Sequence, residues 1–359
     1  MKERLHPFHL SLLIFMIQSG VIIFSLPRII AQYMGYNGWA TLILFSGIAM
    51  INILLIGLVY QLSRGKSIFI ILEHSLPKIL IFPLYTVLIS VWTILGCMVA
   101  KQYVIIFQVY VFPTTHPMYI KALVDIVTFI LVIKGIYNIS KAATSFFGMV
   151  IWMNLLLLFF LKDFQWMNLT PFYFQKSTDI WIGGLSIYSA FLGYELTLLL
   201  FPYSEKNKGL IKAVFVGNLM TTLTYIAVCF VCFGFYSFNQ LKKMKYPLID
   251  LLAYIKFPFV ERIENLFFGF FLFTTLVTIA MYIWAAKEAL HRVIPRANTK
   301  WLTAFLLGSA FVVSWIPDTL SKTEKWLKYL GFIEIGVAFG LPLLLIVVLL
   351  VNKGVKNNA

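Results

Sequence analysis

Ten apolar runs, each about as long as a helix needs to cross a bilayer, follow one another along the 359-residue chain with mostly short polar connectors between them. They fall at roughly 9–31, 38–60, 82–109, 119–134, 142–161, 181–201, 211–235, 264–286, 301–317 and 332–352. Hydrocarbon offers no partner to an exposed backbone N–H or C=O, so runs of this length must be helical. With 61% hydrophobic and 12% charged side chains, the chain also lacks the polar surface to coat a soluble body of its size. The expectation is an all-α integral membrane protein of about ten transmembrane helices, forming a single permease-like domain. Only the connectors 162–180 and 236–263 are long. Within the second, Tyr246 to Lys256 has helical apolar spacing but is too short to cross, so it is expected on the membrane surface or over a cavity.

The formal charge of +15 resides in those connectors rather than along one basic face. No zinc-ligand or RNA-binding pattern accompanies it, which argues against a nucleic-acid partner and for contact with anionic lipid. An even number of spans puts both termini on one side. Lys and Arg are more numerous there, and the positive-inside rule makes that side cytoplasmic. Lys2 and Arg4 precede the first run as they would in a signal peptide, but the run continues to about Ala31 without a small-x-small cleavage site, so it is expected to stay as the first span. Cys97, Cys229 and Cys232 all lie in apolar runs and read as packing residues, not as a disulfide or redox set.

Two of the runs are interrupted. Gln18-Ser19-Gly20 breaks the first, and Phe191-Leu192-Gly193-Tyr194-Glu195 breaks the sixth. Glycine loosens a helix, and Gln and Glu are costly in lipid, so matched breaks suggest a cavity lined by open helix ends rather than ordinary small-residue packing. The broken spans start about 170 residues apart, dividing the chain five and five. Five spans per unit invert the second unit relative to the first. The expected architecture is therefore a 5+5 inverted repeat, about 9–161 and 181–352, with broken helices 1 and 6 meeting near the midplane.

Local strings then become specific. Gly20-Val-Ile-Ile-Phe-Ser-Leu-Pro27-Arg28 followed by Gly35-Tyr-Asn-Gly-Trp39 resembles the opening of the B subunits of bacterial spore germinant receptors, the endospore germination permease family. In order come Lys101, Phe112-Pro113-Thr-Thr-His-Pro117, Leu169-Thr-Pro171-Phe, Phe191-Leu-Gly-Tyr-Glu195, Tyr246-Pro247 and Glu261-Arg262-Ile-Glu264. The resemblance covers about residues 5–350. It implies a relative of the amino acid, polyamine and organocation transporters, placed in the inner membrane of a spore with A-type and C-type partner subunits and sensing a nutrient. Two departures stand out: Ile22 occupies a position that is often glycine, and Lys101 one that is more usually arginine.

Candidate ligand-binding residues follow from the breaks. Amides after Gly20 and Gly193, at the positive ends of half-helices, would hold a carboxylate, which makes an amino acid the natural ligand. Gln18, Ser19 and Val21 adjoin the first set; Phe191, Leu192 and Tyr194 would shape the side-chain pocket. Glu195 should face the interior, where it would pair with the ligand's amine, hold a proton or tie the unwound segment to a neighbour. Lys101, with Leu95 and Met98 on the same face of the third span, marks a pathway or a structural ion pair. Thr274, Thr275 and Thr278 in the eighth span would bind ligand or, as in sodium-coupled members of the superfamily, help hold sodium; threonine also bonds back to its own helix. Glu334, early in the tenth span, is either a pathway residue or interfacial. Arg28 and Arg262 read as span ends, Pro27 as a kink or terminus of the first span's second half, and Trp39, Trp166, Trp181 and Trp301 as interface anchors.

Neither enzyme nor cofactor chemistry is indicated. The sequence carries no HExxH, nucleophile elbow or phosphate loop, and the histidines are too scattered to ligate a metal. The expected function is a nutrient sensor read out by partner subunits, with an amino-acid or ion permease working by alternating access as the competing reading.

Overall fold

The computed structural model of the chain describes residues 4–170, 177–204, 209–255 and 263–357, with side chains through 351. Lys2, Pro171, Phe172, Lys256, Glu261 and Arg262, named above, lie outside the described residues. The helices are α1 (Pro7–Gln18), α2 (Leu26–Met34), α3 (Thr41–Ser63), α4 (Ile68–Ser75), α5 (Lys78–Val111), α6 (Pro117–Ile133), α7 (Ile136–Val150), α8 (Ile180–Tyr188), α9 (Thr197–Leu200), α10 (Gly209–Phe235), α11 (Phe238–Lys243), α12 (Pro247–Leu252), α13 (Ile263–Val293), α14 (Thr299–Val313) and α15 (Leu320–Asn357). A tighter 3-10 segment, Ile151–Leu161, continues α7.

Six of these segments are long and apolar enough to cross a membrane on their own, and the bent segment Ile180–Tyr203 brings the number to seven. Pro7–Gln18 and Thr299–Val313 are shorter apolar helices. Helix starts follow sequence chemistry. His6 and His116 each cap a helix whose first residue is proline, accepting the amide hydrogens of Phe8 and Met118, and Asn298 does the same for Lys300. A proline suits the first turn because the amide it lacks has no helical acceptor there.

The helices pack in two groups. In one, α10 lies against α1 and α3, α8 against α2 and α3. In the other, α5, α6, α13 and α14 all contact one another, with α5 running along α13. α7 leans on α1 and α13, and α15 on α3 and α5. Outward faces stay apolar at helical spacing: Ile43, Leu44, Ile51 and Leu54 on α3, Leu123, Ile126 and Ile130 on α6, Val347, Leu350 and Val351 on α15 are all exposed. Such a continuous apolar exterior suits lipid and not water. The chain is an integral membrane protein.

Several local expectations shift. Pro27 begins α2 instead of ending it, again at a helix start where its missing amide is harmless. α15 starts at Leu320, well before the tenth apolar run, because Lys322, Glu324, Lys325, Leu327 and Lys328 favour helix while the stretch is too polar for a hydropathy window to register. Glu334 therefore sits inside a long helix and is fully buried. The segment after Tyr246 forms only the short α12, whose apolar side packs onto α10, α13 and the second half of the first broken span. Trp166, Trp181 and Trp301 are largely exposed, whereas Trp39 packs edge-on against Phe230.

Candidate functional site

α1 stops at Gln18. Gly20 is extended at φ −88° and ψ −179°, a single 3-10 turn follows at Val21–Phe24, and α2 resumes the course. The amides of Val21 and Ile22 open that turn, and no side chain caps it. In the sixth span, α8 runs into the turn Ser189–Phe191, the chain breaks at Leu192 and Gly193, and the turn Tyr194–Leu196 leads into α9; the two halves are bent by 50°.

The two glycines act differently. Gly193 has φ +117°, and a Cβ there would lie 2.5 Å from Ile17 Cγ2, so the sixth-span break is pressed against the end of α1. At Gly20 the nearest atom to a hypothetical Cβ is Gln18 O at 3.9 Å. Its backbone needs no glycine; the missing side chain leaves open space.

That space is a cavity of about 320 Å³. Its floor and walls include Gln18, Gly20, Val21 and Ile22 of the first break, Leu95 and Val99 of α5, Ser189, Ala190 and Leu192 of the second break, and Thr278 and Tyr282 of α13. Its mouth is built by Arg28, Gln32 and Tyr33 of α2, Gln102 of α5, and Glu324, Lys325 and Lys328 of α15. At the mouth, Glu324 accepts from Tyr246 OH at 2.8 Å and faces Arg28 at 4.0 Å; Lys328 donates to Tyr33 OH at 3.4 Å. Burial and the neighbouring carboxylate push the Tyr246 phenol above its ordinary range, which keeps it a donor. Three cations against one carboxylate favour an anionic group entering.

Among the predicted site residues, Gln18, Gly20, Val21, Leu95, Leu192 and Thr278 line this cavity. The Gln18 side chain is already engaged: its amide donates to Phe191 O at 2.6 Å and Asn218 Oδ1 at 3.1 Å and accepts from Thr221 at 3.0 Å, while Tyr225 OH donates to Gln18 O at 2.6 Å. Ser19 turns away, lining a separate void of about 30 Å³ beside Phe15 and Ile23. Phe191 is buried edge-on against Tyr225. Met98 is buried outside the cavity lining. Lys101, also outside, is buried and donates to Met118 Sδ at 3.3 Å. Thr274 and Thr275 bond back to Phe271 O, at 2.8 and 3.1 Å; Thr278 reaches Ile17 O at 3.0 Å and so ties α13 to the end of α1.

Behind the second break, Tyr194, Glu195 and Glu334 are buried among hydrogen-bonding partners instead of lining the cavity. Glu195 accepts from Gly193 N–H at 2.7 Å and from Tyr282 OH at 3.0 Å. Tyr194 OH meets Tyr188 OH at 2.6 Å and accepts from Asn52 at 2.7 Å; Trp92 donates to Glu334 at 3.0 Å. The carboxylate of Glu195 thus occupies the Gly193 amide, and the turn Tyr194–Leu196 lies off the cavity lining, leaving the Gly20 turn as the one that opens onto the cavity. No group of three His, Cys, Asp or Glu placed to hold a metal occurs among the described residues.

Residues missed by sequence reasoning are Arg28, Tyr225, Tyr282 and the charged start of α15. The Glu324–Lys328 spacing of four was the available signal for the last.

Comparison with known proteins converges on one group. The family model described as "Spore germination protein" matches residues 4–323. Spore germination protein GerQB of Bacillus cereus is 26% identical, covering 94% of both chains, and GerLB of the same organism 23%, covering 94% of this chain and 92% of its own. Spore germination protein B2 of Bacillus subtilis (strain 168) is 24% identical over 92% of each. Among solved structures, MHP1, a nucleobase-cation-symport-1 family transporter in a closed conformation with bromovinylhydantoin bound, superposes with a TM-score of 0.62 at 13% identity, covering 91% of this chain and 75% of its own.

Proposed function

Because this chain belongs to the spore germination protein family and has a transporter-like fold, we propose that it is the nutrient-binding, permease-like B subunit of a germinant receptor, taking a small zwitterion in the cavity between its two helix breaks. The observation that carries this is the uncapped turn at Gly20, whose Val21 and Ile22 amides open onto a cavity of about 320 Å³ with a cationic mouth. A carboxylate is held by those amides and the helix-end dipole, without a charged side chain. The ligand's ammonium group faces the opposite end, where the first half of the sixth span terminates at Ser189 and Ala190, the negative end of that half-helix's dipole. An amino acid fits both poles.

In this reading the chain is a ten-helix 5+5 inverted repeat, about 9–161 and 181–352. Support comes from the packing: pairing α1 and α2 with α8 and α9, α3 with α10, α5 with α13, α6 with α14 and α7 with α15 maps each helix group onto itself. Both termini lie in the cytoplasm, the mouth opens outward, and the membrane is the inner membrane of the spore. Ligand binding shifts the equilibrium between arrangements of the two helix groups, and A-type and C-type subunits read that shift.

The test uses spores whose sole receptor contains this subunit, exposed in turn to amino acids, sugars and nucleosides. Gly20→Leu fills the cavity; it should leave the protein in the membrane and abolish or redirect the response. A response unchanged by Gly20→Leu overturns the assignment. The transporter fold favours a second reading, alternating-access transport of the same solute. Accumulation of labelled amino acid by vesicles containing this chain alone would establish it.

A further inference from the structure

Behind the second break two carboxyl groups meet without a cation. Glu195, in the turn Tyr194–Leu196, and Glu334, inside α15, lie within hydrogen-bond reach of each other and are 3% and 0% exposed. Donors serve three of their four oxygens. Gly193 N–H and Tyr282 OH reach the two oxygens of Glu195, and Trp92 Nε1 reaches Glu334 Oε1. Glu334 Oε2 has no donor among the described residues. An ionised carboxylate only accepts, so two that touch need a hydrogen between them. Two adjacent anions in a site of low dielectric would also repel strongly.

The other titratable groups facing the pair are phenols: Tyr282 on α13, Tyr194 in the turn itself and Tyr188 on α8. Trp92 of α5 is the neutral side-chain donor to the pair, while Asn52 of α3 donates to Tyr194 OH. No Lys, Arg or His forms an ion pair with either carboxyl among the described residues.

We infer that Glu195 and Glu334 form a proton-binding site, in which Glu334 Oε2 carries one proton and donates it to Glu195, and that its occupancy is tied to the closed arrangement of the sixth-span break. The tie is physical. Glu195 holds the break through Gly193, Tyr282 bonds Glu195 while lining the ligand cavity, and α15 carries both Glu334 and the mouth residues Glu324 and Lys328. When the proton leaves for solvent, two neighbouring carboxylates remain and push α15 away from the break. Ligand and proton occupancy are then coupled, each altering the other's affinity by the same factor. The assignment holds whichever solute the cavity takes, so it stands or falls separately from the nutrient reading.

The experiment is infrared spectroscopy of the purified full chain in lipid nanodiscs, with the proton itself as probe. The wild-type protein at neutral pH should show the carbonyl stretch of a protonated, water-excluded carboxylic acid that shifts in D2O and bleaches as pH rises. Glu334→Gln keeps the shape and one donor toward Glu195 but removes the acid that carries the proton; it should lose that band, as should the Glu195→Gln/Glu334→Gln double variant. Absence of the band in wild type, or its full persistence in the double variant, overturns the proposal. So does its conversion to an ionised-carboxylate signature on adding sodium chloride at fixed pH, which would mark a sodium site. If the variants fail to give monodisperse protein, the wild-type spectrum decides alone.

Discussion

Gly193 and Ile17 meet where the two broken spans cross, so closely that a Cβ on Gly193 would stand 2.5 Å from Ile17 Cγ2. With φ at +117°, Gly193 is held there both by its own backbone and by its neighbour. Gly193→Ala should therefore cost about 2 kcal/mol or more in stability. Gly20→Ala, at a glycine that touches nothing nearer than 3.9 Å, should change stability by less than about 0.5 kcal/mol while weakening ligand binding. Thermal unfolding of the two variants in the same detergent checks the contrast; equal destabilisation would contradict it.

Gln18 and Tyr225 tie the breaks together from the side of α10. Gln18→Leu strips the donor from Phe191 O and Asn218, and should cost about 1–3 kcal/mol. Tyr225→Phe removes the hydroxyl that reaches Gln18 O and Ala190 O, and should cost about 1–2 kcal/mol. Because they share one network, a double-mutant cycle should give a coupling energy of at least about 0.5 kcal/mol. Simple additivity would show the two ties to be independent.

The buried pair Lys121–Asp125 is a structural element of the second helix group, linked at 2.7 Å. Asp125→Asn leaves Lys121 buried without its counter-charge and should cost about 3–5 kcal/mol. Replacing both, as Lys121→Met/Asp125→Leu, should recover most of that loss, since well-packed apolar side chains avoid the desolvation penalty. The measurement is the unfolding midpoint of single and double variants; a double variant no better than Asp125→Asn would refute the account.

Charges at the cavity mouth should act on the ligand rather than on the fold. Arg28 and Lys328 are half-buried but held only by long contacts, at 4.0 Å to Glu324 and 3.4 Å to Tyr33, so Arg28→Gln and Lys328→Gln are expected to shift stability by no more than about 1 kcal/mol. Each should lower affinity for carboxylate-bearing germinants and flatten the salt dependence of binding, while an uncharged germinant is unaffected. Dose-response curves at two ionic strengths distinguish these outcomes.

Part of the site was legible in the linear chain. Gln18, Gly20, Gly193 and Glu195 stood out because each is expensive or disruptive in hydrocarbon, and both helices do break there. Their division of labour was not legible. Gln18 and Glu195 face protein donors and acceptors, and the turn that lines the cavity is the one after Gly20, not the one after Gly193. The linear chain leaves Glu334 open between pathway and interface because a hydropathy window hides the polar first turns of α15, and those same turns bring Glu324 and Lys328 to the mouth.

That the chain lives in lipid, that it is helical and where two of its helices fail are properties written residue by residue, because hydrocarbon penalises every polar or flexible residue one position at a time. Which side chains meet across those failures is not written that way. Glu195 and Glu334 are separated by most of the second half of the chain, and Gln18 and Tyr225 by more than half of it. Their encounters depend on how whole helices pack, a property that no local run of residues carries.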